Sequence, residues 1–388
     1  MIPLRRIPIV AGYFCVLAAI NFYICRNLFF AEYTGHTNSI QGLWISMARL
    51  AGEHWFRPSW WPYQDAGVPF EHTYMPLVPA ASAVLAKLAR VSAARAFHSV
   101  MGLVLCLGPV TLFLMIWRMS RMPACAFWVC LLYSVTSPAR AVLPETDVNP
   151  IRYWSSLRFY GVVVWDDLPH QTALCFLPLA LLFLWRSFES RRPFHYVVTV
   201  FLMVMTVLPS VFGATALATG ALCLLVAFPK EQFGRNLRLL LALAVLAYLV
   251  VSPYLPPSVI AAIRSNQQRF VEDRWSAGSF TAVGLVICGC LLFRRALDRC
   301  AAERYVRFFL LFAFVAASVP LMDTYLNRHF LPQPNRYTAE MEIGTALLAV
   351  PAITWARARL PRKIAVALAV FLLKIGRASC RERVYVLV

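Results

Sequence analysis

The stretch "IPIVAGYFCVLAAINFYICRNLFF", residues 7–30, decides the fold. It carries a single charge, Arg26, and is long enough to cross the ~30 Å hydrocarbon core of a bilayer as a helix. Arg5 and Arg6 precede it, which predicts a cytoplasmic N-terminus. No small-residue cleavage site follows, so the run reads as a retained span rather than a cleaved signal peptide. Similar runs recur along the 388 residues, of which 60% are hydrophobic and 14% charged. Soluble domains average only about 45–50% apolar residues. The fold class is therefore all-α, a polytopic transmembrane helical bundle.

The net charge of +19 would suggest nucleic acid in a soluble protein. Here the Arg and Lys residues cluster in short connections between apolar runs, as in cytoplasmic loops. No nucleic-acid motif is present, and the bilayer is the expected partner. Ten of the eleven cysteines lie in or beside apolar runs or in a basic connection, so no structural disulfide is expected.

Working outward from residues 7–30, ten complete spans are expected: 8–30, 97–117, 123–137, 168–185, two sharing 195–228, 237–253, 278–293, 305–322 and 343–356. Pro209 breaks the shared run. An eleventh span begins at 364. The cytoplasmic connections are 118–122, 186–194, 229–236, 294–304 and 357–363. External loops cover 31–96, 138–166 and 254–277, and a fourth holds "DTYLNRHFLPQPNRYTAEME". Two segments of the first loop, 39–54 and 74–92, are amphipathic at helical spacing and read as helices on the membrane surface. In the second, Leu77, Val78, Ala81, Val84, Leu85 and Leu88 oppose Ser82, Lys87 and Arg90. Residues 1–374 form one transmembrane domain. Residues 375–384, "IGRASCRERV", resemble the translation of a common short-read sequencing adapter, so 375–388 read as a tail of non-native origin and the natural chain as cut near Lys374.

With the spans drawn, almost no acid falls within a span, and 13 of the 18 sit at external ends and loops. The most distinctive stretches are "EYTGH", residues 32–36, and "WFRPSWWPYQDAGVPFEHTYMPLVP", residues 55–79. Glu32 stands at the exit of the first span, followed by Gly35-His36, Trp61-Pro62, Gly67 and Pro69, and Tyr74-Met75-Pro76-Leu77. Together with the "DLPHQTALCFLPLALLFL" entry to the fourth span and "PQPNRYTAEME" before the tenth, this pattern resembles the GT-C superfamily of membrane glycosyltransferases, and most nearly bacterial pyruvoyl-tetrahydropterin-synthase-related membrane proteins. Two positions depart from the family pattern. Glu32 replaces an Asp, and Ser210 stands in a turn where many GT-C proteins carry His.

The resemblance implies transfer of a sugar from a polyprenyl-phosphate donor to an acceptor on the outer face of a bacterial inner membrane. It implies a catalytic carboxylate, here Glu32, and a divalent metal, Mg2+ or Mn2+, on the phosphate. Arg336 suits the leaving phosphate, because its planar fork matches phosphate oxygens. His36, Trp61, His72, Tyr74, Asp166, Asp167 and His170 are the remaining substrate-binding candidates. Each has a plainer role open to it. Asp166 and Asp167 precede a helix with Pro169 in its first turn, which suits capping. The tryptophans suit an interfacial anchor, and Arg336 suits snorkelling. The alternative functions are a transporter or flippase of lipid-linked or polymeric sugar, for which ionisable groups deep in the bundle are expected, and a non-catalytic membrane scaffold.

Overall fold

A computed structural model describes residues 7–35, 40–54, 60–63, 66–69, 74–143, 156–270 and 277–359. The expected eleventh span and the tail at 375–388 lie outside the described residues, as do His36 and His72. Among the described residues the chain is all-α apart from one two-stranded ribbon. Its helices are α1 (Ile7–Cys25), α2 (Ile40–Glu53), α3 (Leu77–Ala89), α4 (Ala93–Ser120), α5 (Pro123–Val135), α6 (Leu157–Val163), α7 (Leu168–Ser190), α8 (Pro193–Val207), α9 (Val211–Ala227), α10 (Lys230–Val251), α11 (Pro257–Phe270), α12 (Ala277–Arg299), α13 (Arg304–Leu326) and α14 (Thr338–Arg359).

Among the described residues, six helical segments are long and apolar enough to cross a membrane: Pro8–Phe29, Ala93–Ser120, Leu168–Ser190, Lys230–Val251, Gly278–Arg299 and Arg304–Leu326. Two of them turn apolar faces outward. On α10, Leu241, Val245, Leu246, Leu249 and Val250 are exposed, and on α12, Phe280, Leu285, Ile287, Leu291 and Leu292 are exposed. Continuous aliphatic surface of this kind needs lipid, not water, as its solvent. The protein is a multi-pass membrane protein.

The main core runs through α4, α5, α7, α9, α13 and α14, with Phe113, Leu184, Leu224, Phe308, Phe312 and Leu347 fully buried. Glycines set the closest approaches. A Cβ on Gly213 would lie 2.0 Å from the Thr206 carbonyl and 2.8 Å from Ala173 Cβ, so α9 meets α8 and α7 at a point only glycine allows. Pro209 does break the run as expected: α8 ends at Val207, and Ser210 caps α9 by accepting from Phe212 N–H. At the other end of α9, the Arg294 guanidinium of α12 donates to the Val226 carbonyl and, at 3.2 Å, to that of Phe228. It satisfies acceptors that a helix end leaves open.

The first loop folds around its aromatics. Trp60–Trp61 pairs antiparallel with Val68–Pro69. Gly67 turns between them at φ +107°, and a Cβ there would fall 2.2 Å from Trp60 Nε1. The reading of α3 needs correction. Ser82 is buried with Val78, Pro79 and Ala83, whereas Val84 and Leu88 are exposed. Small side chains let α3 pack on α2 and α4, and Ser82 Oγ satisfies itself on the Val78 carbonyl at 2.9 Å. The large aliphatics are left on the outside.

The second loop sends a charged side chain into the packed helices. Arg158, on α6, is 7% exposed and sits inside the bundle. Pro109 interrupts α4 and cannot donate to the carbonyl four residues earlier. That carbonyl, Leu105 O, accepts from Arg158 Nη1 at 2.7 Å, and Nη2 donates to Asn21 Oδ1 of α1 at 2.9 Å. Asn21 in turn donates to Ser134 Oγ of α5 at 3.0 Å. The third loop contains a helix, α11.

Candidate functional site

The strongest grouping of charged side chains forms where the starts of α7 and α14 meet. Asp167 is the residue before α7, and its side chain does not cap the helix. Its Oδ1 accepts from Arg336 Nη1 at 3.0 Å, and its Oδ2 lies 3.2 Å from His170 Nδ1. The other imidazole nitrogen, Nε2, is 2.9 Å from Glu340 Oε1. The result is a chain of alternating groups: Glu340, His170, Asp167, Arg336. Local spacing builds half of it. His170 follows Asp167 by three, and Glu340 follows Arg336 by four across the 3-10 turn Pro334–Tyr337 that leads into α14, so each pair is close in the chain.

The chain runs from buried to open. His170 is fully buried and Glu340 is 3% exposed, while the Asp167 and Arg336 side chains are 16% and 40% exposed. Asp167 and Arg336 line a cavity of about 300 Å³, together with Trp165, Gln171, Thr324 and Asn335. That is the lower end of the size range of small-molecule sites. Phe212, at the start of α9, packs against two members of the chain: the Arg336 guanidinium stacks 5.0 Å from its ring centroid, and His170 stands 5.6 Å from it. Tyr337 is anchored by a 2.8 Å bond between its hydroxyl and that of Thr215.

The backbone entering α7 is bent to suit. Asp166 is 6% exposed and takes a left-handed conformation, φ +57°, which Asp tolerates better than most residues. The Asp167 N–H then reaches the Gly161 carbonyl at 2.9 Å, tying the turn to α6.

Tyr74 joins this neighbourhood from the first loop, edge-on to Trp44 at 4.2 Å between centroids. Burial pushes its phenol above its ordinary value, the Arg336 guanidinium pulls it back and Asp167 adds to the rise. Tyr74, Asp167, His170 and Arg336 are therefore brought together, as residues far apart in sequence. Trp61 is not among the cavity's lining residues. It is 1% exposed, belongs to a second core cluster with Trp44, Val78, Phe97 and Met101, and meets Tyr63 edge-on at 5.0 Å.

Glu32 stands apart from the cavity as well. It is exposed and accepts a hydrogen bond from Ser92, the N-cap of α4. A carboxylate there meets the positive end of the α4 dipole. Beside it His98, fully buried, pairs through Nδ1 with the Ala31 carbonyl at 3.0 Å and lies 3.4 Å from Gln41 Oε1 through Nε2.

The implied divalent metal finds no open cage here. Both oxygens of Asp167 and one of Glu340 face protein cations or imidazole, and no group of three His, Cys, Asp or Glu among the described residues is arranged to hold a metal. Sequence reasoning had placed Glu340 only as an acid near a loop. Its spacing from Arg336 was the available signal. Phe212 and Thr215 carried none, because α9 reads as uniformly apolar. No family model, curated protein or solved structure matches this chain.

Proposed function

We propose that this chain is a membrane glycosyltransferase of the GT-C type, moving a sugar from a polyprenyl-phosphate donor to an acceptor on the extracytoplasmic side of a bacterial inner membrane. The observation that carries the reading is the Asp167–Arg336 pair on the cavity wall, backed by buried His170 and Glu340. In this reading Arg336 exchanges Asp167 for the donor's phosphate oxygens, which its fork engages better than a single carboxylate oxygen. The exchange frees Asp167 Oδ1 to take the proton of the acceptor hydroxyl as its oxygen attacks the anomeric carbon. The bond from that carbon to the phosphate oxygen breaks, and Arg336 stabilises the phosphate that leaves. His170 holds Asp167 from behind. No step passes through a metal.

This assigns the base to Asp167 rather than Glu32. A transporter is expected to place ionisable groups deep in the bundle, and the sequence shows none clearly within the spans. Arg158, outside those spans in sequence, is such a group in the fold, but its bonds repair the Pro109 break and hold α1, which accounts for it structurally.

The test is transfer from polyprenyl-phosphate hexoses by the purified protein in nanodiscs. Arg336→Lys keeps the charge and loses the fork, so the donor KM is expected to rise with a smaller change in kcat. An unchanged KM would remove Arg336 from the donor site. The ten-crossing topology, with the N-terminus inside, is tested separately. Cysteine introduced at Gln333 should label from outside in intact cells, and one at Arg191 only after permeabilisation. Labelling of both from outside would overturn it.

A further inference from the structure

The ten described cysteines are all free, yet two of them face each other. Cys25 Sγ, at the end of α1, lies 3.3 Å from Cys106 Sγ in the middle of α4. Ordinary packed heavy atoms sit about 3.5–4.0 Å apart. Both residues are buried, at 1% and 9% exposure. The helices come this close because Gly102, one turn before Cys106, has no side chain: a Cβ there would lie 2.9 Å from the Phe29 ring. Cys25 Sγ is also 3.5 Å from the Gly102 carbonyl.

The pair is held in register by Arg158. One guanidinium nitrogen grips Leu105 O, next to Cys106, and the other grips Asn21, one turn before Cys25. The same side chain therefore fixes α4 and α1 at the level where the thiols meet. Bringing two sulfurs to a bond length of about 2.0 Å asks each to move only about 0.6 Å.

We propose that Cys25 and Cys106 are a redox-active dithiol that closes to a disulfide with a lipid-soluble quinone as oxidant. The S–S bond forms as each sulfur loses its hydrogen. Two electrons and two protons pass to the quinone, which leaves as quinol. A quinone suits the site because the pair lies in an apolar core cluster whose polar neighbours are Arg158 and Asn21, and the neighbouring residues Leu103 and Leu107 are exposed on the bundle surface. Closure ties the exit of α1, and with it the start of the first loop, to α4. The proposal is independent of the transferase reading.

The test uses the full chain in nanodiscs, first reduced, then exposed to a short-chain ubiquinone or to oxidised glutathione. Free thiols are blocked by alkylation and the peptides mapped by mass spectrometry. The expected result is a Cys25–Cys106 crosslinked peptide, lighter by two hydrogens, with quinone only, and quinone absorbance falling in step with it. In Cys106→Ser, and separately in Cys25→Ala, the partner cysteine should stay alkylatable after the same treatment, with the monodisperse elution profile of the parent. No crosslink in the folded parent overturns the proposal. A crosslink with glutathione but not with quinone overturns the assigned oxidant.

Discussion

Asp167→Asn is expected to lower the turnover of sugar transfer by about 10²–10⁴, the size of a general-base contribution. The amide matches the carboxylate in shape and keeps an oxygen for Arg336, so the cavity wall survives. What it loses is the capacity to accept a proton at the cavity face. The side chain is 16% exposed, on the accessible side of the group, which is where a base must be to reach an acceptor. The drop should appear in kcat, in contrast to the KM effect of Arg336→Lys, because the proton moves only in the chemical step. Initial rates at saturating donor measure it. Unchanged turnover would take Asp167 out of the chemistry. A loss of that size in Glu32→Gln alone would return the base to the exit of the first span.

Glu340→Ala is expected to be the most destabilising single change at the site, by about 3–5 kcal/mol, as when one member of a buried pair is removed. His170 is fully buried, and one of its nitrogens depends on Glu340 Oε1 at 2.9 Å. Without that oxygen the imidazole keeps only Asp167, and α7 and α14 lose the bond that joins their first turns. Glu340→Gln keeps an acceptor at the same reach and should lose less. Thermal unfolding in one detergent, parent against the two variants, reads the difference. Equal midpoints for all three would mean that the pair carries no stability and that Glu340 is only packed there.

Some of this was legible from residue order alone. A helix in a bilayer must satisfy its own backbone, so every crossing has to be a long apolar run, and runs of that kind show in composition and spacing. The helices α1, α4, α7, α10, α12 and α13 were visible for that reason, as was the break at Pro209. Asp167 and His170 were visible as separate candidates, but their pairing, and the partners on their far sides, came only with the packing. The sequence by itself determined an all-helical membrane protein with most of its acids outside the long apolar runs. It did not determine which acids meet. Glu32 and Asp167 look equivalent in the chain, each at the end of an apolar run. Tertiary packing separates them: Glu32 goes to the N-terminus of α4, and Asp167 to a cavity with Arg336, 169 residues away. Arg158 shows the same limit. As a loop cation it had no visible partner, because the carbonyl it serves is orphaned by a proline on a different helix. Partners of this kind are set by which helices pack together, and that depends on small residues such as Gly102 and Gly213, whose importance lies in the space they leave empty.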